Sequence, residues 1–167
     1  MTQKDSHIHL NDIFKVYYDF ETTGRKRSRI VSIGYVSDDP SFHDELLCLP
    51  TVPIDFGAYS VHGYTRTSLQ LQGAKATKEQ LVYFMTQIEE LGKPVLMIAH
   101  NGKSFDTHVL RHALEMNDVP LACNIIGFMD SVWYIRHRLQ RKQASIDTLV
   151  QAFWGEDPRT LHSAVED

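Results

Sequence analysis

The sequence predicts a single α/β domain built around a mixed five-stranded sheet. Three strand-like segments come first, at 14–20, 30–36 and 42–49, and their connections are short enough for antiparallel pairing. Segments of helical periodicity then alternate with two further strand-like runs, at 95–100 and 124–130. The chain has 167 residues, of which 43% are hydrophobic, and this is enough to bury one core without disulfide support.

In the first half of the chain, residue types and turn-forming residues predict three strands followed by a loop. The segments FKVYYDF (14–20) and IVSIGYV (30–36) are rich in the β-branched and aromatic residues that favour strands. The third strand, FHDELLCL (42–49), ends at Pro50. The following segment, 50–76, contains three glycines and two prolines, and it is predicted to be a long surface loop.

The second half predicts alternating helices and strands. A helix is expected from Thr77, where Thr77 and Gln80 have the spacing of a capping box, to Gly92. The continuous apolar run 95–100 predicts a strand buried on both faces. Further helices are predicted at 107–117, 131–139 and 145–154 and from about residue 160. The resulting βββαβαβα order matches the ribonuclease-H-like α/β fold.

Charge and cysteine content limit the classes of function. A formal net charge of −4 argues against a general polyanion binder, so nucleic-acid contacts would have to come from the local basic patches at 24–29 and 136–142. Cys48 and Cys123 form no disulfide framework, which favours a reducing compartment, the cytosol or the nucleus.

The N-terminal residues, the apolar runs and the last predicted helix bear on the extent of the domain. Residues 1–12 are polar, lack a signal-peptide core and are predicted to be flexible, leaving 13–167 as the domain. No apolar run has the length of a membrane span. Because the last predicted helix ends at Asp167, the sequence is expected either to be a domain of a longer protein or to fray at this end.

The most informative stretch is VYYDFETTG (16–24). Side chains at positions i and i+2 of a strand point to the same face, so Asp19 and Glu21 are expected side by side. Two adjacent carboxylates repel each other unless a cation neutralises them. Asp106 follows the predicted buried strand at the carboxyl end, where open α/β sheets bind ligands. The sequence ends with His162 and Asp167 in the pattern H-x-A-x-x-D.

Each of these signals has an ordinary structural explanation when taken alone. A D-x-E pair on a strand is usually solvated or salt-bridged, and an Asp at a helix start is usually an N-cap. Asp130, at the end of the strand 124–130, is predicted to cap the helix that follows.

Taken together and in order, the motifs DFETTG, HNGKSFD and H-x-A-x-x-D resemble the DEDDh exonucleases, the DnaQ-like superfamily of 3′→5′ exonucleases with a ribonuclease-H-like fold. The resemblance extends from about residue 14 to the end of the chain. The VHGYT segment (61–65) and the spacing of GKPVLMIAHN (92–101) lean toward TREX-type and related animal exonuclease domains rather than proofreading subunits.

The resemblance implies a reaction and a set of catalytic residues. Four carboxylates, Asp19, Glu21, Asp106 and Asp167, would hold two Mg²⁺ or Mn²⁺ ions, which prefer hard oxygen ligands. By analogy with the family, Asp19 would bind both ions, Glu21 and Asp167 would bind one of them, and Asp106 would bind the other. His162 would take the proton from the attacking water. The expected reaction removes nucleoside 5′-monophosphates from the 3′ end of DNA or RNA.

The resemblance also implies a pocket for the 3′ end of the substrate. Thr22, Thr23 and Gly24 would offer hydroxyl and backbone N–H groups to the terminal nucleotide. Many members of the superfamily carry an apolar wedge after this glycine, whereas this chain has Arg25, which could instead hold a phosphate. Asn101, in the second motif, is a further candidate for substrate binding.

Two other functions remain open. The same fold could serve as a catalytically silent module that binds nucleic acid or protein, although such domains commonly lose one of the five catalytic residues that this chain retains. An endonuclease of the wider ribonuclease-H-like group is disfavoured by the H-x-A-x-x-D pattern. The sequence does not choose RNA from DNA, single from double strands, or a monomer from a homodimer.

Overall fold

The computed structural model describes residues 12–25, 28–138, 140 and 145–154. Its sheet has the strand order β4-β3-β2-β1-β5-β6. The predicted α/β architecture, with antiparallel strands followed by parallel ones, is therefore confirmed. The predicted helix from residue 160, which carries His162 and Asp167, lies outside the described residues, as do residues 1–11.

The first three strands form an antiparallel meander. Strand β1 spans Phe14–Thr22, β2 spans Ile30–Ser37 and β3 spans Asp44–Leu49. In the β1–β2 ladder Asp19 lies opposite Gly34. Because paired residues of neighbouring strands project to the same side of a sheet and Gly34 has no side chain, no side chain of β2 stands directly opposite Asp19.

The segment 50–76 differs from the long loop that was predicted. It contains helix α1 (Phe56–His62), helix α2 (Arg66–Leu71) and a two-residue strand, β4 (Lys75–Ala76). Helix α1 ends at Gly63, which adopts φ 73° and donates its N–H to the Tyr59 carbonyl. A capping box between Thr65 and Ser68 starts α2. Strand β4 pairs with β3 in parallel and adds a sixth strand to the five predicted.

Helix α3 (Thr77–Glu90) has the predicted position but lacks the predicted capping box. Its N-cap is Ala76, which has no side chain that can accept a hydrogen bond, and Thr77 is already the first helical residue. The Gln80 side chain instead donates to the Leu47 carbonyl at 2.9 Å. Contact with β3 therefore took precedence over local capping.

The remaining elements build the parallel half of the sheet. Strand β5 (Val95–Ala99) pairs in parallel with both β1 and β6 (Ile125–Asp130), and helix α4 (Asp106–Asn117) connects β5 to β6. Two helices follow, α5 (Ser131–Arg138) and α6 (Ile146–Trp154). All but one of the β5 residues are fully buried, as its apolar sequence predicted.

The core lies between the sheet and helices α3 and α4. Alternate β1 residues, Val16, Tyr18 and Phe20, belong to the same buried cluster as Phe84 of α3 and Leu110 of α4. Burying each large apolar side chain stabilises the fold by about 1.5–3 kcal/mol. Within the described part of the chain, no helix is long and apolar enough to cross a membrane.

Candidate active site

The two carboxylates of β1 share the face that points away from the core. The strand has the burial alternation of a half-buried strand: Tyr18, Phe20 and Thr22 are buried, whereas Asp19 and Glu21 are partly accessible. The prediction that Asp19 and Glu21 share one face is therefore confirmed. They lie near the carboxyl end of β1, at the edge of the sheet where β5 and β6 also end.

Asp106 contacts the backbone of β1 from helix α4. It is the first residue of the helix, and its Oδ1 accepts a hydrogen bond from the backbone N–H of Phe20 at 3.3 Å. Phe20 is the residue between Asp19 and Glu21, so the Asp106 carboxylate is held against the middle of the D-x-E motif. The first and second motifs, 86 positions apart in the sequence, are thereby brought together.

Asp106 is in an unusual electrostatic environment for a carboxylate. Only 3% of its surface is exposed. Burial raises the pKa of Asp106 to about 6, and the nearby charge of Asp130 acts in the same direction, while hydrogen bonds from backbone N–H groups oppose the shift. A buried carboxylate bonded to the backbone of the D-x-E motif is a position where a bound cation would be favoured.

Asp130 has the structural role that was predicted for it. Its Oδ1 accepts from the N–H of Trp133 at 3.1 Å, which caps α5, and its Oδ2 accepts from the N–H of Lys103 at 3.0 Å. The second bond ties the end of β6 to the loop before α4. That loop is also tightened at Gly102, where an added Cβ would lie 2.6 Å from the Ala99 Cβ.

Asn101 lies at the turn of the same loop. It adopts φ 59°, a left-handed conformation that Asn tolerates better than most residues, and its carbonyl accepts from the Ser104 N–H at 2.9 Å. Its side chain is exposed and does not line the main cleft described below. The structure thus gives Asn101 a backbone role, and its contact with substrate stays a prediction.

A cleft of about 680 Å³ opens beside Glu21. One wall is the end of β1 with Gly24 and Arg25, and the opposite wall is helix α1 with the residue before it. The contributions from the α1 side are Asp55, Gly57, Ala58, Val61 and His62. The volume is within the range of ligand-binding pockets, and the cleft combines a carboxylate, a guanidinium and a mainly apolar helix face.

Gly24 makes the close approach of these two walls feasible. Its φ of 151° is a conformation that residues with a side chain rarely adopt, and an added Cβ would lie 2.2 Å from Oδ2 of Asp55. The backbone N–H of Asp55 donates to the Thr23 carbonyl at 2.8 Å, which fixes the start of α1 against this loop.

The two threonines are buried and make hydrogen bonds inside their own loop. The Thr22 hydroxyl donates to the Gly24 carbonyl at 3.0 Å, and the Thr23 N–H donates to the Arg29 carbonyl at 2.9 Å. The Thr23 Oγ1 accepts from the Arg29 N–H at 3.0 Å. Their contact with a terminal nucleotide stays a prediction, and it would have to compete with these internal bonds.

His62 joins helix α1 to strand β1. Its Nδ1 accepts from the Tyr64 N–H at 3.0 Å, so Nε2 carries the proton and donates to the Thr22 carbonyl at 3.2 Å. Burial lowers the pKa of His62 below its ordinary 6.5, although the hydrogen bond to Thr22 opposes the shift. The neutral imidazole is therefore the form that fits this position.

We expect the His62 ring to titrate below pH 6.5, and the free energy of unfolding to fall as the pH drops through this value. Protonation removes the Nδ1 acceptor of the Tyr64 N–H, and a lowered pKa in the folded state means that the unfolded state takes up the proton first. An NMR titration of the imidazole measures the midpoint, and the signal lost in His62→Gln identifies the ring. A midpoint above 6.5 would contradict the described hydrogen bonds.

Sequence reasoning did not identify as site residues the five cleft residues on the α1 side: Asp55, Gly57, Ala58, Val61 and His62. They lie in the segment that was read as a surface loop. A signal was present, because Asp55 and Gly63 have the spacing of residues that flank a two-turn helix, and Ala58 and Val61 share one face of such a helix.

Divalent cations are the cofactor implied by the resemblance, and the donor chemistry fits them. Asp19, Glu21 and Asp106 supply hard oxygen ligands, and the buried Asp106 gains most from a cation. Within the described ranges no group of three or more His, Cys, Asp or Glu side chains is close enough to hold an ion. Mg²⁺ commonly uses only one or two carboxylates, with water and substrate phosphate, and Asp167 lies outside those ranges.

The sequence matches the family described as Exonuclease (RNase T) over residues 16–167. This match spans nearly the whole chain and includes all three motifs. The chain belongs to this exonuclease family. The assignment agrees with the DEDDh resemblance. No curated protein matches the sequence.

Solved structures of Escherichia coli Exonuclease I have a similar fold. Its complex with a dA16 oligonucleotide has a TM-score of 0.71 at 17% identity and covers 92% of this chain and 38% of that one. The complex with dT13 has a TM-score of 0.71 at 16% identity and the same coverage of 92% and 38%. A zinc-bound complex of that enzyme with single-stranded DNA has a TM-score of 0.58 at 17% identity, covering 74% and 29%.

These similarities show the fold. This chain spans less than two fifths of the length of each of these Exonuclease I chains. The lean toward TREX-type domains is not confirmed by them and stays a prediction.

Proposed function

We propose that this member of the exonuclease family is a divalent-metal-dependent 3′→5′ exonuclease that hydrolyses the terminal phosphodiester bond of DNA or RNA and releases nucleoside 5′-monophosphates. The main support is the bond between Asp106 Oδ1 and the Phe20 N–H, which fastens a buried carboxylate to the backbone of the D-x-E motif, in a strand whose end lines a large cleft. The three motifs and the family match support the same reaction.

The metal-binding residues in this proposal are Asp19, Glu21 and Asp106, with Asp167 as the fourth. When bound, two divalent ions neutralise the carboxylates and the negative charge that develops on the phosphate. His162 is proposed as the base that takes the proton of the attacking water; its ordinary pKa of about 6.5 suits this role near neutral pH.

The cleft supplies binding and orientation. Arg25 lies on the cleft wall next to Glu21 and would bind a phosphate oxygen of the substrate. The apolar face of α1, with Ala58 and Val61, would accept the sugar and base of the terminal nucleotide. Because His62 donates a hydrogen bond to the Thr22 carbonyl, it fixes the position of this helix face relative to the carboxylates of β1.

A catalytically silent nucleic-acid-binding domain is the second candidate. It is favoured by the observation that no complete group of metal ligands is assembled among the residues that the structure describes. Binding of oligonucleotides without cleavage, in the presence of each candidate ion, would support this alternative.

The deciding experiment uses 5′-labelled single-stranded DNA and RNA with Mg²⁺, Mn²⁺, Zn²⁺ or excess chelator. We expect a ladder that shortens from the 3′ end with Mg²⁺ or Mn²⁺, and no cleavage with chelator. The matched controls are the same strand with a 3′-phosphate, which should resist, and a circular single strand, which should remain intact. Rapid cleavage of the circle, or undiminished cleavage in chelator, would overturn the proposal.

A further inference from the structure

Helix α5 exposes an aromatic side chain that the proposed chemistry does not use. None of its eight residues is buried, and Trp133 is 51% exposed. The His137 ring stacks on the indole, with ring centroids 4.7 Å apart and an interplanar angle of 18°. His137 is held there by a bond of 2.9 Å between its Nδ1 and the Trp133 carbonyl. A rigidly held, half-exposed indole on a helix that buries nothing suggests a binding role.

Trp133 also lines a cleft of about 310 Å³, which we call the Trp133 cleft. Its other walls come from the loop before α4, the start of α4 and the end of β6: Lys103, Thr107, Phe128, Met129 and Asp130. Asp130 accepts hydrogen bonds from the N–H groups of both Lys103 and Trp133. Two walls of the Trp133 cleft are therefore fixed to each other through one carboxylate.

The chemistry of these walls suits a flat, neutral ring rather than an anion. Phe128, Met129 and the indole offer apolar and polarisable surface, whereas the Asp130 carboxylate would repel a phosphate inside the cleft. Basic side chains are nearby instead: Lys103 lines the cleft, and Arg136 follows Trp133 by about one helical turn on the same side of α5. An apolar slot for a ring with cations outside it is the arrangement by which proteins hold single-stranded nucleic acid.

The Trp133 cleft and the candidate active site both lie near the carboxyl ends of the parallel strands. Strands β1, β5 and β6 are parallel neighbours, so β1 and β6 lie two strand spacings, about 10 Å, apart. Tyr17 and Met129 both pair with Ile98, so Glu21 lies three residues, about 10 Å, further along its strand than Asp130, and the two are about 14 Å apart. Since a stacked strand advances about 3.4 Å per nucleotide, this distance corresponds to about four nucleotides.

We infer that the Trp133 cleft binds one nucleobase of a single-stranded substrate, about four nucleotides from the terminal one. The base stacks on Trp133, and the flanking phosphates contact Lys103 and Arg136. This inference rests on the proposed function, because it assumes that the 3′ end lies beside Glu21. It adds a preference for single strands, since a paired base could not enter the cleft without leaving its partner.

The test is a scan with oligonucleotides that carry one abasic nucleotide at successive positions from the 3′ end. For the parent protein, one internal position should raise KM by roughly 5- to 100-fold, the range expected for losing one stacked base, with little change in kcat. In Trp133→Ala that position should lose its effect, and intact strands should bind more weakly by a similar factor. Trp133→Phe should restore most of the affinity. Tyr134→Ala, which removes the neighbouring exposed ring outside the cleft, should behave as the parent.

A binding measurement separates this inference from the proposed function. The chain has two tryptophans, so Trp154→Phe leaves Trp133 as the only one, and stacking of a base should quench its fluorescence when oligonucleotide is added. Cleavage from the 3′ end without quenching, and with a flat abasic scan, would overturn the inference and leave the exonuclease intact. Quenching by a peptide rich in aromatic residues but not by an oligonucleotide would overturn it in favour of a protein partner.

Discussion

Replacing Asp106 by Asn is expected to lower the rate of cleavage by at least about 10³-fold, because the loss of a metal-binding carboxylate removes several kcal/mol of charge stabilisation from the transition state. The same substitution should raise the thermal midpoint of the metal-free protein. Only 3% of the Asp106 surface is exposed, and Asn keeps an oxygen that can accept a hydrogen bond from the Phe20 N–H. Cleavage assays and thermal melts in chelator measure the two effects.

The gain in stability should depend on pH in a defined direction. The pKa of Asp106 is raised to about 6 by burial, so the folded protein retains a proton that the unfolded chain releases near pH 4. The free energy of unfolding of the parent therefore falls as the pH rises from about 4 to 6, by up to about 3 kcal/mol. Asp106→Asn should abolish this fall, so its advantage should be several degrees at pH 8 and small at pH 4.

Asp130→Asn is the matched control for the change of carboxylate to amide. Both Asp130 oxygens accept backbone N–H groups, and an amide can accept only through one of them, so this variant should melt lower than the parent. An Asp106→Asn protein that melts lower than the parent at pH 8, or that keeps a tenth of the parental turnover, would contradict the metal-binding role of Asp106.

The second large effect is expected for Gly24→Ala. The φ of 151° strains any residue with a side chain, at a cost of about 1–3 kcal/mol, and the new Cβ would collide with the Asp55 carboxylate. Displacing Asp55 moves one wall of the cleft relative to Glu21, and misplacement by 1 Å can cost about 10²-fold in rate. We expect a lower thermal midpoint and a fall in kcat/KM of at least about 10-fold.

Two further variants separate the effect of backbone strain at position 24 from the effect of the collision with Asp55. Gly57→Ala changes another glycine of the same cleft, but no atom lies within 4 Å of its added Cβ and it belongs to a helix, so stability should stay level or rise. Adding Asp55→Ala to Gly24→Ala should recover the part of the loss that is due to collision. If Gly24→Ala alone keeps parental stability and kcat/KM, the close approach of these two walls has no role.

Much of the sheet was predictable because its signals are local. The alternation of buried and accessible residues in β1 follows from the period of two of a strand, and this period alone predicts that Asp19 and Glu21 share one face. The buried run of β5 and the capping role of Asp130 could likewise be read from a few adjacent residues. A local signal failed where a distant contact competed with it. The capping box predicted for Thr77 and Gln80 does not form, because the Gln80 side chain donates instead to the Leu47 carbonyl, 33 positions away.

The sequence by itself determined the fold class, the exonuclease resemblance and the acidic residues that carry it, because these depend on residue type and order. Only the tertiary structure decided what surrounds those residues. The bond from Phe20 to Asp106 spans 86 positions, and the bond from His62 to Thr22 spans 40. The helix that forms the cleft wall buries none of its residues and so shows no strong periodic pattern. Its place over the catalytic strand depends on such long-range bonds, which no local pattern encodes.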